Sequence, residues 1–379
     1  MTDTDILIIG AGMAGVSVAA ELAGSHSVQL WEREEHPGLH ATGRSAAIYS
    51  ETYGPSPVRA LTRASRDFLF AGGGQSGPIF VTPRFILHLA TAAQIAVLDA
   101  LHAQPDIAAN CRRIDGAEAE RIVPALRSGT VAAALLDPYG FDMDVHAIHQ
   151  HYLHELRRLG GQMLCDRPLD ALQWSGDHWI AQSGDMAVTA RIIVNAAGAW
   201  ADPVARMAGL APLGIIPKRR TAVLVDPPPG QDIADWPMTI DCEERFYFKP
   251  DAGKLLLSPA DATPSEPCDA QPEEIDIAIA VDRVQQVADI PVRRVSHSWA
   301  GLRSFAADGV PVAGFDPDHP AFFWLAGQGG YGIQTAPALA RMAAALLRGD
   351  AIPQDIEAQG LRSKDIAPGR LRTAALATQ

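Results

Sequence analysis

The chain predicts an α/β protein: a Rossmann-like nucleotide-binding domain, discontinuous in sequence, with a second, strand-rich domain threaded through it. Three observations carry this. Residues 5–32 read as strand, glycine turn "GAGMAG", helix and strand within about 30 residues, the context that gives a G-x-G-x-x-G motif its meaning. Two more strand-to-glycine turns follow far downstream, "ARIIVNAAGAW" ending at Trp200 and "FFWLAGQGGYGIQTAPALA" opening a helix near Gly332. Between them, residues 212–300 hold "TAVLVD", "RFYFKP" and "KLLLSP", apolar or alternating runs separated by "PPPG" and "DAG" turns, as in a sheet.

Taken in order, "DILII" is a short unbroken apolar run and predicts a strand buried on both faces. "VSVAAELAG" has helical spacing, and "SVQLWE" is a second strand ending at Glu32. Residues 83–144 mix short strands and helices between Pro83, Pro105, Pro124 and Pro138. "DVHAIHQHYLHELRRLGG" predicts a long helix with Asp144 as N-cap and glycines closing it. The last fifteen or so residues read as a polar, loosely held tail. The resulting division is 1–82, 145–211 and 300–379 for the nucleotide domain, and 83–144 with 212–299 for the other.

Bulk numbers narrow the function classes. The chain has 379 residues, 47% of them hydrophobic, enough for two domains. Its net charge of −13, from 44 acidic and 31 basic side chains, argues against nucleic acid as partner. Cys111, Cys165, Cys242 and Cys268 are scattered without metal-ligand spacing, so no metal site or disulfide frame is expected. The opening "MTDTDILIIG" has no basic n-region or long h-region, and no run reaches spanning length. The expectation is a cytoplasmic protein, with peripheral association at the inner membrane left open.

In the first turn Gly10 permits the tight bend, Gly12 admits a pyrophosphate, and Gly15 lets the helix pack on the strand. Met13 and Ala14 begin the helix whose N–H groups face the anion. Glu32 is placed to accept from a ribose hydroxyl, which disfavours a 2′-phosphate, and Arg33 follows it. One such fingerprint serves NAD or FAD equally. Three separated glycine turns around one sheet fit a long cofactor held end to end, hence FAD, with the third turn setting a helix N-terminus beside the flavin. No cysteine lies in a glycine turn, so attachment is expected to be non-covalent. His146 and His149, three apart, could share a helix face, with His151 close by in sequence, but a solvated helix is the simpler account. Lys218 reads as a lone strand-edge charge.

The blocks "GAGMAG", "GLHATGRSAA", "VNAAGAW", "PKRR", "DWPM", "FYFKPDAG", "WAGLRSF" and "GQGGYGIQT" together resemble the D-amino acid oxidase (DAO) family of FAD-dependent amine oxidoreductases, most closely the bacterial D-arginine dehydrogenase type. The resemblance spans nearly the whole chain to about residue 340. It implies an FAD domain of the glutathione-reductase type and a substrate domain with a large, mostly antiparallel sheet. It also implies the reaction: a hydride leaves Cα of an amino acid for flavin N5, giving an imino acid that hydrolyses to a keto acid and ammonia.

The resemblance assigns Thr42, Gly43, Arg44, Ser45, Ala46 and Ala47 to a second cofactor segment. Ala197, Gly198, Trp200, Gly301, Arg303, Gly329, Gly330, Tyr331, Gly332, Ile333 and Gln334 complete the cofactor set. Arg220 and Arg303 are assigned to the substrate carboxylate, a role suited to a bidentate guanidinium. Tyr53 and Tyr247 border the substrate, and the Gly330 carbonyl accepts from its amine. The competing accounts are a solvated arginine for Arg220, a fate better suited to Arg219, and a buried structural ion pair for Arg303. No catalytic base is nominated; a water or a tyrosine suffices.

Two departures bear on the substrate. Ile48 stands where the D-arginine type carries histidine, and "PRFIL" (83–87) lacks its glutamate, leaving Phe85 and Leu87 as apolar pocket residues. A basic side chain would then lack a counter-charge. The expected substrates are apolar or aromatic D-amino acids. The alternatives are secondary amines of the sarcosine kind, D-2-hydroxy acids and, more distantly, a non-catalytic flavin-binding subunit or an NAD-only dehydrogenase. The electron acceptor (quinone, redox protein or oxygen) is not legible.

Overall fold

The structure is a computed structural model that describes residues 2–72 and 79–376. Its first sheet is built on five parallel strands in the order Gln162–Leu164, Val28–Trp31, Thr2–Ile9, Met186–Asn195 and His319–Ala326. Antiparallel strands extend it: Ala171–Trp174 and Trp179–Ser183 on one side, Val312–Asp316 beside the last strand. Ile6 and Ile8 point into one apolar core while Leu7 and Ile9 point into another. A strand covered on both faces has no polar alternation, which is why "DILII" is unbroken.

Helices Met13–Ala23, Val145–Arg158 and Gly332–Arg348 pack together on the first face, joined by Ser56–Phe70. Asp144 caps Val145–Arg158 by accepting from Ala147 N at 2.8 Å. Within that helix His149 is buried against the carbonyl of Ala11 at 2.9 Å, and His151 packs edge-on to Phe68 and Phe80. The histidines therefore have structural work, and among the described residues no group of side chains could hold a metal. No helix among those residues is long and apolar enough to cross a membrane.

The second sheet runs Thr263–Pro264, Ile216–Val225, Lys254–Ser258, Tyr247–Asp251, Met238–Asp241, Ile86–Ala90, Ala133–Asp137, Arg112–Asp115. All its pairs are antiparallel except Met238–Asp241 with Ile86–Ala90. Val295–Phe305 pairs along the whole of Ile216–Val225, so this sheet continues past residue 300, where the sequence reading had returned to the nucleotide domain. A small third sheet joins Ile48–Tyr49, Phe141–Met143 and Val81–Pro83.

The expected loose tail is docked instead. Helices Ser363–Ile366 and Gly369–Leu376 bury Ile366 and Leu371, and Arg370 and Arg372 pair with Asp308 and Asp316, each at 2.7 Å. The tail was misread because its anchors are two apolar residues and two arginines set among small and polar ones.

Candidate active site

One long cavity runs from the carboxyl ends of the parallel strands to the second sheet. At its first end the chain leaves Thr2–Ile9 through Gly10, whose φ is +100° and whose Cβ, if present, would lie 2.6 Å from the Ala196 carbonyl oxygen. Only glycine fits there. Gly12, Met13 and Ala14 line the cavity. Gly15 does not: a Cβ there would stand 1.8 Å from the Gly10 carbonyl oxygen, so it serves helix packing. Helix Met13–Ala23 has no acidic residue in its first turn, which leaves its positive end open to an anion. Met13 N donates to Thr42 Oγ1 at 2.9 Å, tying the second segment to the first.

Glu32 is buried; its carboxylate accepts from Ala11 N at 2.9 Å and Glu34 N at 3.1 Å, with lone pairs to spare. Arg33 lies over the Trp200 ring, 5.0 Å from its centre. Of the second segment, Thr42, Arg44, Ser45 and Ala46 line the cavity. Gly43 does not, because it packs on the Gly38 carbonyl, and Ala47 faces the core. Arg44 turns its guanidinium away from the cofactor's length: Nη1 donates to the carbonyls of Ala270 (2.8 Å) and Ala300 (3.0 Å), and Nη2 pairs with Asp269. It ties its own loop to the loop at Asp269–Ala270 and to strand Val295–Phe305.

Ala197, Gly198, Trp200, Gly301, Gly329, Gly330, Gly332 and Ile333 also line it. Tyr331 and Gln334 stand behind. Gln334 is buried with Oε1 accepting from Ser50 N at 3.0 Å, and Tyr331 packs its ring on Tyr53, 4.9 Å away. Helix Gly332–Arg348 likewise starts without an acidic first turn or a side-chain cap.

Sequence reasoning missed Arg167, Pro168 and Leu169, which line the end near Glu32. They follow strand Gln162–Leu164, whose parallel neighbour is Val28–Trp31, so the rule that ligands gather at strand carboxyl ends would have found them. It also missed Cys268 and Ala270 on the segment that Arg44 holds; Cys268 is exposed at the cavity.

The cavity fits a dinucleotide flavin. Two helix N-termini face it, glycine backbone forms the bend, and Arg167 Nε and Gln328 Nε2 are buried donors without a protein partner. One lies beyond Glu32; the other sits beside Phe305, with which Gln328 forms a bridge.

At the far end, Arg220, Tyr247 and Arg303 enter the same cavity. Register explains this: Ile216–Val225 and Val295–Phe305 pair Lys218 with Arg303 and Arg220 with Gly301, so both arginines come from adjacent strands. Arg220 Nε donates to the Asp261 carbonyl at 2.7 Å, and its guanidinium lies 6.0 Å from the Tyr247 ring centre. Among the described residues neither Arg220 nor Arg303 has a carboxylate within 4.0 Å, so neither is a structural ion pair. Arg219 is the paired one, but it is half-buried in a network with Asp261, Glu273 and Asp276 rather than solvated. Lys218 lies over the Phe305 ring at 5.3 Å.

Two unpaired guanidiniums mark the neighbouring phenol. Burial would raise the Tyr247 pKa, yet Arg303 and Arg220 override it and hold it below the ordinary tyrosine value. Tyr331, further from both, is pushed up by burial, with Tyr53 and Glu244 adding to the rise. Tyr53 Oη and Arg303 Nη1 converge on Gly330: a Cβ there would lie 3.3 Å from the first and 3.1 Å from the second. Glu244, at the exposed tip of the turn before Tyr247, with φ +55°, adds a negative field at Arg303. No motif marked it.

The apolar wall differs from the expected one. Ile48 is half-buried against a cluster of Ile86, Ala222, Met238, Tyr247 and Leu256. Of "PRFIL" it is Ile86 that joins this cluster. Leu87 points through the sheet into the opposite core with Trp236 and Phe248, and Phe85 is 47% exposed. Choosing Phe85 and Leu87 was a phase error of one residue on a strand whose faces alternate.

The family profile "DAO: FAD dependent oxidoreductase" matches residues 5–346. A glycine oxidase of Geobacillus kaustophilus is 24% identical over 351 residues, covering 88% of this chain and 90% of that protein. FAD-dependent oxidoreductase domain-containing protein 1 of Xenopus laevis is 27% identical over 177 residues, and the match spans about a third (35%) of that longer protein. The solved L-alpha-glycerophosphate oxidase from Mycoplasma pneumoniae, which has FAD bound, shares the fold with a TM-score of 0.82 at 16% identity, covering 92% of this chain and 95% of that one.

Proposed function

Since the chain belongs to the DAO family of FAD dependent oxidoreductases, we propose that it oxidises the Cα–N bond of a small amino acid, with D-amino acids bearing apolar side chains as the preferred class. FAD is the cofactor, and when bound it supplies a two-electron acceptor for the hydride. The observation that carries the proposal is the pair Arg220 and Arg303, two guanidiniums without a carboxylate partner, entering the cofactor cavity beside Tyr247. Leaving two such charges uncompensated is costly unless a ligand carboxylate completes them.

The chain's own residues then divide the work. Arg220 and Arg303 hold and orient the carboxylate, which fixes Cα over the cavity floor formed by Gly329 and Gly330. Tyr53 Oη, beside Gly330 and Arg303, closes the position from above and is a donor for the carboxylate. The main-chain carbonyl of Gly330 accepts a hydrogen bond from the substrate amine, which must be neutral, its extra proton lost to water, before its lone pair can form the imine as hydride leaves Cα. The apolar cluster of Ile48, Ile86 and Met238, packed on the cavity residues Ala222 and Tyr247, is proposed as the wall that the side chain meets. No carboxylate stands in that wall; Glu244 is at the exposed rim, so a guanidinium side chain would leave its charge there.

A second reading is a substrate with little or no side chain, or a secondary amine. It is favoured by the similarity to a glycine oxidase along nearly the full length. A D-2-hydroxy acid would use the same arginine pair. Anaerobic bleaching of the bound flavin by D- and L-leucine, D-phenylalanine, D-proline, D-arginine, glycine, sarcosine and D-lactate separates these. D-Leucine and D-phenylalanine are expected to bleach fastest. A clear win for D-arginine, for glycine or for the L-enantiomers would refute the apolar D-amino acid reading, and bleaching by D-lactate alone would refute amine chemistry.

A further inference from the structure

Tyr53 has no contact that explains its placement by itself. The explanation lies behind it, in a buried polar chain that no step above uses. Asp137 ends the strand Ala133–Asp137 and is 1% exposed, with no cation paired to it among the described residues. Its Oδ2 accepts from Thr52 Oγ1 at 3.0 Å, and its Oδ1 accepts from Tyr139 N at 2.9 Å. Thr52 Oγ1 is 2.8 Å from Ser50 Oγ, and Ser50 Oγ also accepts from Thr52 N at 3.3 Å. Ser50 N donates to Gln334 Oε1 at 3.0 Å. Ser50, Thr52 and Gln334 are all buried.

A lone buried carboxylate is expensive to keep. Its two hydrogen bonds among the described residues go to Thr52, on one neighbouring segment, and to the turn at Tyr139. Ionised Asp137 accepts from Thr52, so Thr52 in turn accepts from Ser50, and both hydroxyls have a single orientation. Thr52 is buried, and the next residue, Tyr53, is half-buried. Its ring meets Tyr331 and its hydroxyl meets Gly330 beside Arg303. Gly54, at φ +88°, then packs directly on the Tyr331 ring, which ends the segment.

We infer that Asp137 is a positioning residue: through Thr52 and Ser50 it fixes residues 50–53, and so holds Tyr53 at the carboxylate site and Gln334 behind the cavity. This rests on the reading that Tyr53 and Arg303 meet a substrate carboxylate. The charged form is what counts, because both carboxylate oxygens act as acceptors, and protonation spoils one of them. Burial raises the Asp137 pKa, Tyr139 N and Thr52 oppose that, and Glu51 adds to it. The other titratable groups around it are Cys111, pushed up to about 12 mainly by burial, and His88 on the adjacent strand, pushed down to about 4. Cys111 stays neutral throughout the acid range, while His88 takes up a proton near pH 4 but makes no hydrogen bond with Thr52; loss of the acid limb in a Thr52 variant therefore assigns it to Asp137, the group Thr52 touches.

The test uses FAD-loaded protein and benzoate as a non-reacting carboxylate, read by perturbation of the flavin spectrum, together with KM and kcat for the best substrate. Thr52→Ala is expected to raise the benzoate Kd and the KM about tenfold with a smaller change in kcat, and Thr52→Ser to restore both. In wild type the benzoate affinity should fall as pH drops through the raised Asp137 pKa, and this acid limb should be absent from Thr52→Ala. Asp137→Asn should match Thr52→Ala if it folds; the threonine pair decides the matter if it does not. A folded Thr52→Ala with wild-type affinity and an unchanged pH profile overturns the inference, as does Thr52→Ser behaving like Thr52→Ala. If benzoate leaves the wild-type spectrum unchanged and no amine bleaches it, the amine reading fails first and this inference falls with it.

Discussion

The cavity has two ends made of different material. The cofactor end is shaped by main chain at its bends, namely the Gly10–Met13 turn, the Gly329–Gly332 turn and two helix N-termini without acidic first turns. The substrate end is walled by side chains projecting from strands, namely Arg220, Ala222, Tyr247 and Arg303, with Ile86 and Met238 packed in the apolar cluster around Ala222 and Tyr247. Main-chain donors recognise a pyrophosphate whatever the flanking side chains are. A side-chain wall, by contrast, changes completely when one strand is read one residue out of phase. The first end should therefore fail all or none, and the second by degrees.

The largest effect should come from the cofactor end. Gly10→Ala places a methyl 2.6 Å from the Ala196 carbonyl oxygen at a φ of +100°. Purified protein is expected to lack FAD, with the 450 nm band gone and the thermal midpoint lowered. A yellow, fully loaded Gly10→Ala protein would break the main-chain account. Next is the carboxylate clamp. Arg303→Met should leave FAD bound and cost about 3 kcal/mol of transition-state binding, roughly a hundredfold or more in kcat/KM. Retention of normal kcat/KM would remove Arg303 from the clamp.

These two ends also explain what the chain revealed. The three glycine turns and the order of strands were legible because local backbone chemistry encodes them: "GAGMAG" and "GQGGYG" demand particular φ values and close approach. Arg220 and Arg303 were legible only through resemblance; the sequence holds 31 lysines and arginines, and what distinguishes these two is that both enter the cavity beside Tyr247 without a carboxylate partner, a property of three-dimensional neighbours. Arg44 was assigned to the cofactor, and it does line the cavity, but its charge is spent on Asp269 and two carbonyls, one from the loop at Ala270 and one from the second sheet at Ala300. Glu244 and Asp137 were invisible for the same reason: each acts across a sequence gap, Glu244 on Arg303 and Asp137 on Thr52, 85 residues away.

A moderate effect separates the two arginines' field from ordinary burial. Because Arg303 and Arg220 lower the Tyr247 pKa despite its burial, its phenolate forms at lower pH than a free tyrosine's. A phenolate there competes with the substrate carboxylate, so KM should rise with pH through that depressed pKa. Binding should hold on the acid side of it. In Tyr247→Phe the alkaline limb should vanish. An identical alkaline limb in Tyr247→Phe would assign it elsewhere.

The smallest effects sharpen the phase argument on one strand. Ile86 and Leu87 are adjacent, both buried and close in size, yet they face opposite sides of the second sheet. Leu87→Ala should lower stability by about 2–5 kcal/mol through a cavity beside Trp236 and Phe248, while leaving the ratio of kcat/KM for D-leucine over D-arginine unchanged. Ile86→Ala should cost less stability if the cavity beside it admits water, and should shift that ratio. Phe85→Ser, at a side chain 47% exposed, should change stability by less than about 0.5 kcal/mol and selectivity not at all. The three variants are therefore one experiment: selectivity must follow position 86 alone. If it follows 85 or 87 instead, the wall faces the other way and the apolar-substrate reading loses its structural basis.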